Sequence, residues 1–329
     1  MDGLDTAIAV MVGTIRAGTP LVFAALGELI AEKSGVLNLG VEGMMLVGAV
    51  AGFIVTVLTG SPYLGIIAAI IAGMLMSLIF GGLTQVLLTN QVATGLALTI
   101  FGIGLSAFIG LNYVGTPIDG LRPIAIPGLS EIPIVGPLLF NHDILIYISI
   151  AMFAVVSWFL FRTRGGLILR AVGESHDAAH AIGYSVVKIR FMAIMFGGGM
   201  AGLAGAYLSL VYTPQWAENM TAGRGWIALA LVVFATWRPV RVLIGAYLFG
   251  GITILSLHAQ AAGDSIATWV AWVPYPLGDW LLGFLKSSHL LATLPYLATV
   301  VVLAMISRDA TKIRLNAPAS LGRPFHPGA

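Results

Sequence analysis

Few residues in this chain have types and spacing suited to chemistry. The stretch EKSGVLNLGVEGMM, residues 32–45, sets Gly35, Asn38, Gly40, Glu42 and Gly43 among apolar neighbours. Glycine weakens a helix, and Asn38 and Glu42 put an amide and a carboxylate into an apolar run. Such groups could line a path for a polar solute or hold a proton. A carboxylate paired with a neighbour to hold a broken helix is the competing reading of Glu42. HDAAH places His176 and His180 four residues apart with Asp177 beside the first, an arrangement like that of helical zinc proteases with their Glu replaced. No third ligand is evident, and a solvated helix face is the plainer reading. Asn90 and Gln91 interrupt LLTNQVATGLAL, where they could line a cavity or turn the chain. Arg16 sits within an apolar run and calls for a carboxylate or a helix C-terminus as partner. Glu28 and Glu32 are expected to be solvated or paired with Lys33.

The elements that must position these groups follow from composition. Of 329 residues, 58% are hydrophobic and 9% charged, and mean hydropathy is +0.98. Soluble domains carry about 25% charge. A water-soluble enzyme, a nucleic-acid binder and a disordered chain are thereby excluded, and lipid takes the place of water. With no cysteine, disulfides and cysteine metal sites are excluded as well. Nine apolar runs approach the length of a spanning helix: about 7–31, 41–60, 62–80, 92–111, 143–161, 191–212, 224–237, 242–258 and 290–307. The seventh is short. The expected fold is an all-α polytopic membrane protein with about nine transmembrane helices, some of them broken or half helices.

Charge orients the spans. With alternating sides, twelve basic residues fall on one face: one at Lys33, five within 162–190, two at Arg238 and Arg241, and four in the tail. Three fall on the other, Arg122, Arg224 and Lys286. By the positive-inside rule the C-terminus is cytoplasmic and the N-terminus outside. The N-terminal stub, with Asp2 and Asp5 and no basic residue, reads as uncleaved. Residues 1–307 form one transmembrane domain. Within it, 112–142 carries five prolines and reads as an ordered outer cap. Residues 259–289, with Trp269, Trp272, Tyr275 and Trp280, suit the membrane interface. Segment 162–190 is cytoplasmic, and 308–329 is a cytoplasmic tail.

Stretches 32–45 and 221–239, TAGRGWIALALVVFATWRP, are glycine-interrupted or short, one in each half of the chain. Backbone leaves the helix at membrane depth only where protein or a water-filled cavity satisfies it, and such a pair points to a substrate pathway. Packing glycines are the alternative. GGGMAGLAGAYLSL (197–210) offers Gly198, Gly202 and Gly205 at spacings that allow close helix approach. FGIGLSA imitates a dinucleotide loop but lies within a span. No Gly-Lys dipeptide occurs, so no Walker A loop exists here.

Segment 162–190, RTRGGLILRAVGESHDAAHAIGYSVVKIR, contains one short amphipathic helix over about 167–182, ended by Gly183. It is either a solvated loop or an element that passes a push from a soluble partner to the membrane. Here the chain resembles the permease subunits of bacterial ABC importers of the branched-chain amino acid/ribose/nucleoside group. It is most similar to the nucleoside-type permeases that work with basic-membrane-protein-type binding lipoproteins. The resemblance runs in order through GELIAEKSGVLNLGVEGMMLVGA (27–49), NQVATGLALT (90–99), IPGLSEIPIVGPLLF (126–140), RTRGGLILRAVGESHDAAHAIGYSV (162–186), GGMAGLAGAYLSL (198–210), MTAGRGWIALALVVFATWRPVRVLIGAYLFG (220–250) and APASLGRPF (317–325).

The resemblance implies the larger, cobalamin-importer-like (type II) ABC permease architecture, lacking the first helix of ribose-type relatives. It implies that 168–183 is the coupling helix seated in the ATPase. The family pattern G-E-N-P-x-A-A-x-x-x-G-I is kept at Gly173, Glu174, Ala178, Ala179 and Gly183. Ser175, His176 and Tyr184 stand at its Asn, Pro and Ile positions. The implied partners are a second homologous permease, an ABC ATPase that uses the ATP, and a substrate-binding lipoprotein. No cofactor, metal or nucleic acid belongs to this chain itself. The expectation is thus an alternating-access import subunit in the bacterial inner membrane, translocating nucleosides or related small polar solutes, with Asn38, Glu42, Asn90 and Gln91 as candidate pathway residues. Sugars and branched-chain amino acids are the alternative cargoes. A proton-coupled secondary transporter using Glu42, and an intramembrane metalloprotease using His176 and His180, are the rival classes.

Overall fold

The computed structural model describes residues 3–261 and 316–326, with scattered positions between them. The described residues are mostly helical. In order come α1 (Gly3–Lys33), α2 (Val41–Thr59), α3 (Pro62–Gly81), α4 (Gln91–Gly110), the short α5 (Val135–Leu139), α6 (Ile144–Arg162), α7 (Arg164–Glu174), α8 (His176–Ala181), α9 (Val186–Tyr207), α10 (Arg224–Phe234) and α11 (Pro239–Ala261). Apolar runs make the bodies, and local polar chemistry cuts them. The Asn90 side chain caps α4 through Ala93 N–H at 3.0 Å. Asp143 caps α6 through Leu145 N–H at 3.0 Å and Ile146 N–H at 3.2 Å. Thr163 caps α7 through Gly166 N–H at 3.0 Å. Each cap takes up N–H groups that a helix start leaves open.

Among the described residues, seven helices are long and apolar enough to cross a membrane. Nine were expected from the sequence. The seventh expected span, 224–237, is the 11-residue α10, too short to cross at 1.5 Å per residue. The ninth, 290–307, lies largely outside the described residues. Both α3 and α9 continue into a wide π turn, over Gly82–Val86 and Leu208–Tyr212.

The core is built around α9, in which 89% of the apolar window is buried. It packs on α1, α2 and α3. A Cβ on Gly48 of α2 would stand 2.5 Å from Gly202 Cα, and a Cβ on Gly27 of α1 would stand 2.7 Å from Met200 Cβ. Gly198 lies against Gly73 and Ser77 of α3, Gly202 against Ala69, and Gly205 against the Met45 carbonyl. Small residues permit this approach where lipid supplies no hydrophobic drive between helices. Over 112–142 a two-residue antiparallel ladder joins β1 (Ile124–Ala125) to β2 (Asn141–His142). Leu121 N–H donates to Leu210 O at 3.0 Å, fixing this region on the end of the α9 extension.

Candidate functional site

The two interrupted stretches meet. After α1 ends at Lys33 the chain turns through Ser34–Gly40, with Gly35 at φ +89°, before α2 begins. The turn's backbone is satisfied by side chains. Gly40 N–H donates to Asn38 Oδ1 at 2.9 Å. Asn38 N–H donates to Glu28 Oε1 at 3.1 Å, and Leu37 N–H to Gln91 Oε1 at 2.8 Å. The Thr99 hydroxyl donates to Leu39 O at 2.9 Å. Asn38 and Gln91 are thus shapers of an open turn at 1% and 4% exposure. They supply what lipid cannot give to non-helical backbone.

Glu42, 3% exposed, receives the start of α10. Its Oε1 accepts from the Thr221 hydroxyl at 2.5 Å and from Gly223 N–H at 2.8 Å. Its Oε2 accepts from Gly225 N–H at 2.6 Å. A carboxylate at a helix N-terminus meets both the open N–H groups and the positive end of the dipole. Gly223, the N-cap, has φ +82°. At Gly225 a Cβ would stand 2.7 Å from Glu42 N and Cα. Both glycines are there to bring backbone onto the carboxylate.

The other end of α10 is held by a second acid. The chain leaves α10 through Thr236 at φ +48° and Trp237 at φ +53°, conformations costly for bulky L-residues. This turn brings Trp237 Nε1–H to Glu32 Oε2 at 2.5 Å. The half-helix is therefore clamped between two carboxylates from stretch 32–42. The expectation that Glu28 and Glu32 are solvated or paired with Lys33 is corrected. Both are 1% exposed, Glu28 serves Asn38, Glu32 serves Trp237, and Lys33 Nζ donates instead to Asn316 O at 2.7 Å. A count of charges near a span end could not see that α1 continues to Lys33 with its acids turned inward.

The remaining candidates fall elsewhere. Asn90 is exposed and caps α4; with Gln91 it borders a cavity of about 260 Å³ closed by Gly322 and Pro324 of the tail. Arg16 donates to Val211 O at 3.4 Å, in the last turn of the α9 extension. His176 and His180 stand edge-on to the Phe325 ring at 5.5 and 5.2 Å. A cavity of about 300 Å³ lies between α1, α10 and α11, bordered by Arg224, Thr253, Ser256 and Gln260. None of these four was a pathway candidate in the sequence reading, which used Arg224 only as an orientation signal.

Segment 164–183 holds two helices where one was expected. The break is at Ser175, extended at φ −150° and ψ 99°, whose hydroxyl caps α8 through Ala178 N–H at 3.3 Å. Serine and asparagine are both good N-caps, which accounts for Ser175 at the position where the family pattern has Asn. Gly183 at φ +91° ends α8. Glu174, Ala178 and Gly183 are exposed, with Ile182 beside them at 72%, while Gly173 and Ala179 face inward. A Cβ on Gly173 would meet the Lys33 carbonyl.

The tail binds this segment to the turn after α1. Ser320 donates its hydroxyl to Gly173 O at 2.6 Å, and Gly322 N–H donates to Gly35 O at 3.0 Å. Phe325 is buried with Val172, Ala179 and Val186. At the centre is Arg190, 0% exposed. It donates to Ser34 O at 3.2 Å and Arg323 O at 3.0 Å, and its third nitrogen stands 3.5 Å from His176 Nδ1. Burial, and then the Arg190 charge, push the His176 imidazole below its ordinary pKa; Asp177 opposes the shift, and Arg323 and His326 add to it.

The family model "Branched-chain amino acid transport system / permease component" matches residues 10–306. TsgC13 of Haloferax volcanii, provisionally named a glucose ABC transporter permease, is 42% identical over 98% of this chain and 99% of its own length. The guanosine ABC transporter permease NupQ of Bacillus subtilis is 33% identical over 78% of this chain and 84% of its own. The nucleoside ABC transporter permease NupC of Lactococcus lactis subsp. cremoris is 28% identical over 93% and 94%. No solved structure matches the chain.

Proposed function

We propose a function that proceeds from one premise: the chain belongs to the family of branched-chain amino acid transport system permease components. It is a multi-pass membrane permease subunit of an ABC transporter, not an enzyme. Its cargo, in our reading, is a small neutral solute carrying a hydroxylated sugar ring, a nucleoside or a sugar. Relatives named for guanosine, nucleosides and glucose share that chemistry. The cavity bordered by Arg224, Thr253, Ser256 and Gln260 offers donors and acceptors suited to hydroxyl groups.

In this reading the chain pairs with a second, homologous permease, takes solute from a binding lipoprotein outside, and is driven by a separate ATPase that consumes the ATP. Its C-terminus is cytoplasmic and its N-terminus outside. The ATPase seats on the exposed edge of α7 and α8 around Glu174, Ala178 and Ile182. Movement there passes through Gly173, the tail and Arg190 to the turn at Gly35, and so to the junction of the two interrupted stretches.

The observation that carries the proposal is the clamp on α10. Glu42 holds its start and Glu32, through Trp237, holds its end. A half-helix so fixed moves with stretch 32–42 as one body. The three donors on Glu42 give its carboxylate a structural role in holding α10. Asn38 and Gln91 shape the pathway by fixing the turn, and Asn90 by starting α4.

Uptake by the full complex in vesicles tests this. Labelled guanosine, glucose and leucine are offered with ATP, with a hydrolysis-dead ATPase, and with an uncoupler. ATP-dependent entry of guanosine or glucose, unaffected by the uncoupler, is expected. Uptake that persists without hydrolysis and collapses with the uncoupler would sink the proposal, and ATP-driven leucine entry alone would sink its cargo.

A further inference from the structure

The end of α1, the end of α6 and the start of α11 come together at one end of the bundle. They enclose, with α7, a cavity of about 910 Å³. Its wall carries four cations, Lys33, Arg170, Arg238 and Arg241, against one carboxylate, Glu174. Glu32 lies behind Trp237, which occupies its acid with the indole N–H. Among the described residues, the Lys33 and Arg241 side chains each make one hydrogen bond, to Asn316 O and to Thr236 Oγ1. The Arg170 guanidinium rests 5.5 Å from the Phe161 ring centroid. Arg170 Nε and Ser157 Oγ are buried without any hydrogen-bond partner, and both residues border this cavity. Arg170 Nε donates only and the Ser157 hydroxyl can donate as well, so one acceptor would serve both, and the surplus of positive charge asks for an anionic one.

The rim continues onto exposed apolar surface. Trp158 and Phe161 of α6 and Val240 and Ile244 of α11 are between 53% and 62% exposed. Because the cavity sits where three spanning helices begin or end, it lies at headgroup depth. Basic pockets between membrane helices hold anionic headgroups.

We propose that this cavity binds a phosphate group, presented by an anionic phospholipid whose acyl chains run down the exposed faces of α6 and α11. Arg170 and Ser157 donate to the phosphate oxygens, Lys33, Arg238 and Arg241 supply the remaining charge, and the exposed apolar rim selects a lipid over a free ion. The cavity shares Trp237 with the end of the α10 clamp, but its cations lie outside the bonds on Glu42, and the proposal does not depend on the identity of the cargo.

The test uses the purified full chain in phosphatidylcholine nanodiscs titrated with phosphatidylglycerol, read as retained lipid by native mass spectrometry. Inorganic phosphate is titrated in parallel. Saturable phosphatidylglycerol binding is expected, weakened about fivefold in Arg170→Gln and again in Arg238→Gln, at about one surface cation's worth each. Lys188→Gln, a cation outside the cavity, should bind as the wild type does. Arg238 lies on an exposed turn, so its variant keeps the test if Arg170→Gln fails to fold. Equal loss in Lys188→Gln, or no loss in either cavity variant, would overturn the site. Saturable phosphate binding with no preference for phosphatidylglycerol keeps the phosphate chemistry and overturns the lipid. Expulsion of the lipid when the ATPase subunit assembles would assign the cavity to a protein contact instead.

Discussion

Glu42 and Gly225 are 183 residues apart in the chain, and the carboxylate of the first accepts the backbone N–H of the second at 2.6 Å. The bond joins the start of one helix to the start of another, and Thr221 and Gly223 reinforce it from the same loop. Hydrogen bonds to a charged group are worth about 1.5–3 kcal/mol. Glu42→Gln is expected to lower stability by about 2 kcal/mol, because an amide turns donors toward donors. Glu42→Ala should cost more and abolish uptake. Thermal unfolding in detergent and vesicle uptake are the measurements; wild-type transport by Glu42→Ala would show that the clamp is dispensable.

Glycine substitutions should divide sharply. A Cβ at Gly225 meets Glu42 backbone at 2.7 Å, and one at Gly102 meets Gly43 Cα at 2.6 Å. Alanine at either position is expected to destabilise by about 1–3 kcal/mol, the cost of overpacking where backbone must shift. Gly104, two residues along α4, has nothing within 4 Å, and Gly104→Ala should melt at or above the wild-type temperature. Equal melting of all three variants would contradict the packing described.

Arg190→Lys keeps the charge and loses the fork. A lysine cannot serve Ser34 O and Arg323 O together in the guanidinium geometry. Since those contacts join the tail to the turn after α1, the variant is expected to assemble and hydrolyse ATP but import less solute per ATP. Removing residues 316–329 should do the same. An unchanged ratio of ATP hydrolysed to solute imported in both would separate the tail from coupling.

The His176 imidazole has a lowered pKa in the folded protein, from burial first and from Arg190 second. The unfolded chain therefore takes up the proton first as pH falls, so stability rises with pH across that interval. The seat of Phe325 should be intact above the unfolded value of about 6.5 and loosen progressively below it. Proteolytic release of the tail between pH 5.5 and 7.5 reads this, and His176→Gln should flatten the profile. A tail released equally at both pH values in the wild type would end the argument.

The architecture was legible because apolar runs of spanning length are written locally, and the two interrupted stretches announced themselves by glycine. That these stretches touch was not legible, since periodicity carries no information about which helices become neighbours. Glu42 stood out as an acid in an apolar run, and its competing reading, a carboxylate that holds a broken helix, is the one seen in its three bonds. Glu32 was hidden by its neighbour Lys33, which made an inward acid look like part of a surface charge pair. Arg190 was hidden in the same way, counted as an orientation signal while its side chain is wholly buried. The break at Ser175 was obscured because a capping serine inside an amphipathic run resembles any other polar position.

The α9 helix begins three residues after Gly183 and meets its neighbours largely through glycine and alanine. Where main chain lies on main chain, few rotamers must flip for one helix to slip along another. Among the described residues, the most deeply enclosed spanning helix is thus also one that rests on a smooth bearing. A displacement delivered at its start, beside Gly183, can travel its length as a small axial glide, with the π turn at Leu208–Tyr212 as the joint where that glide is absorbed.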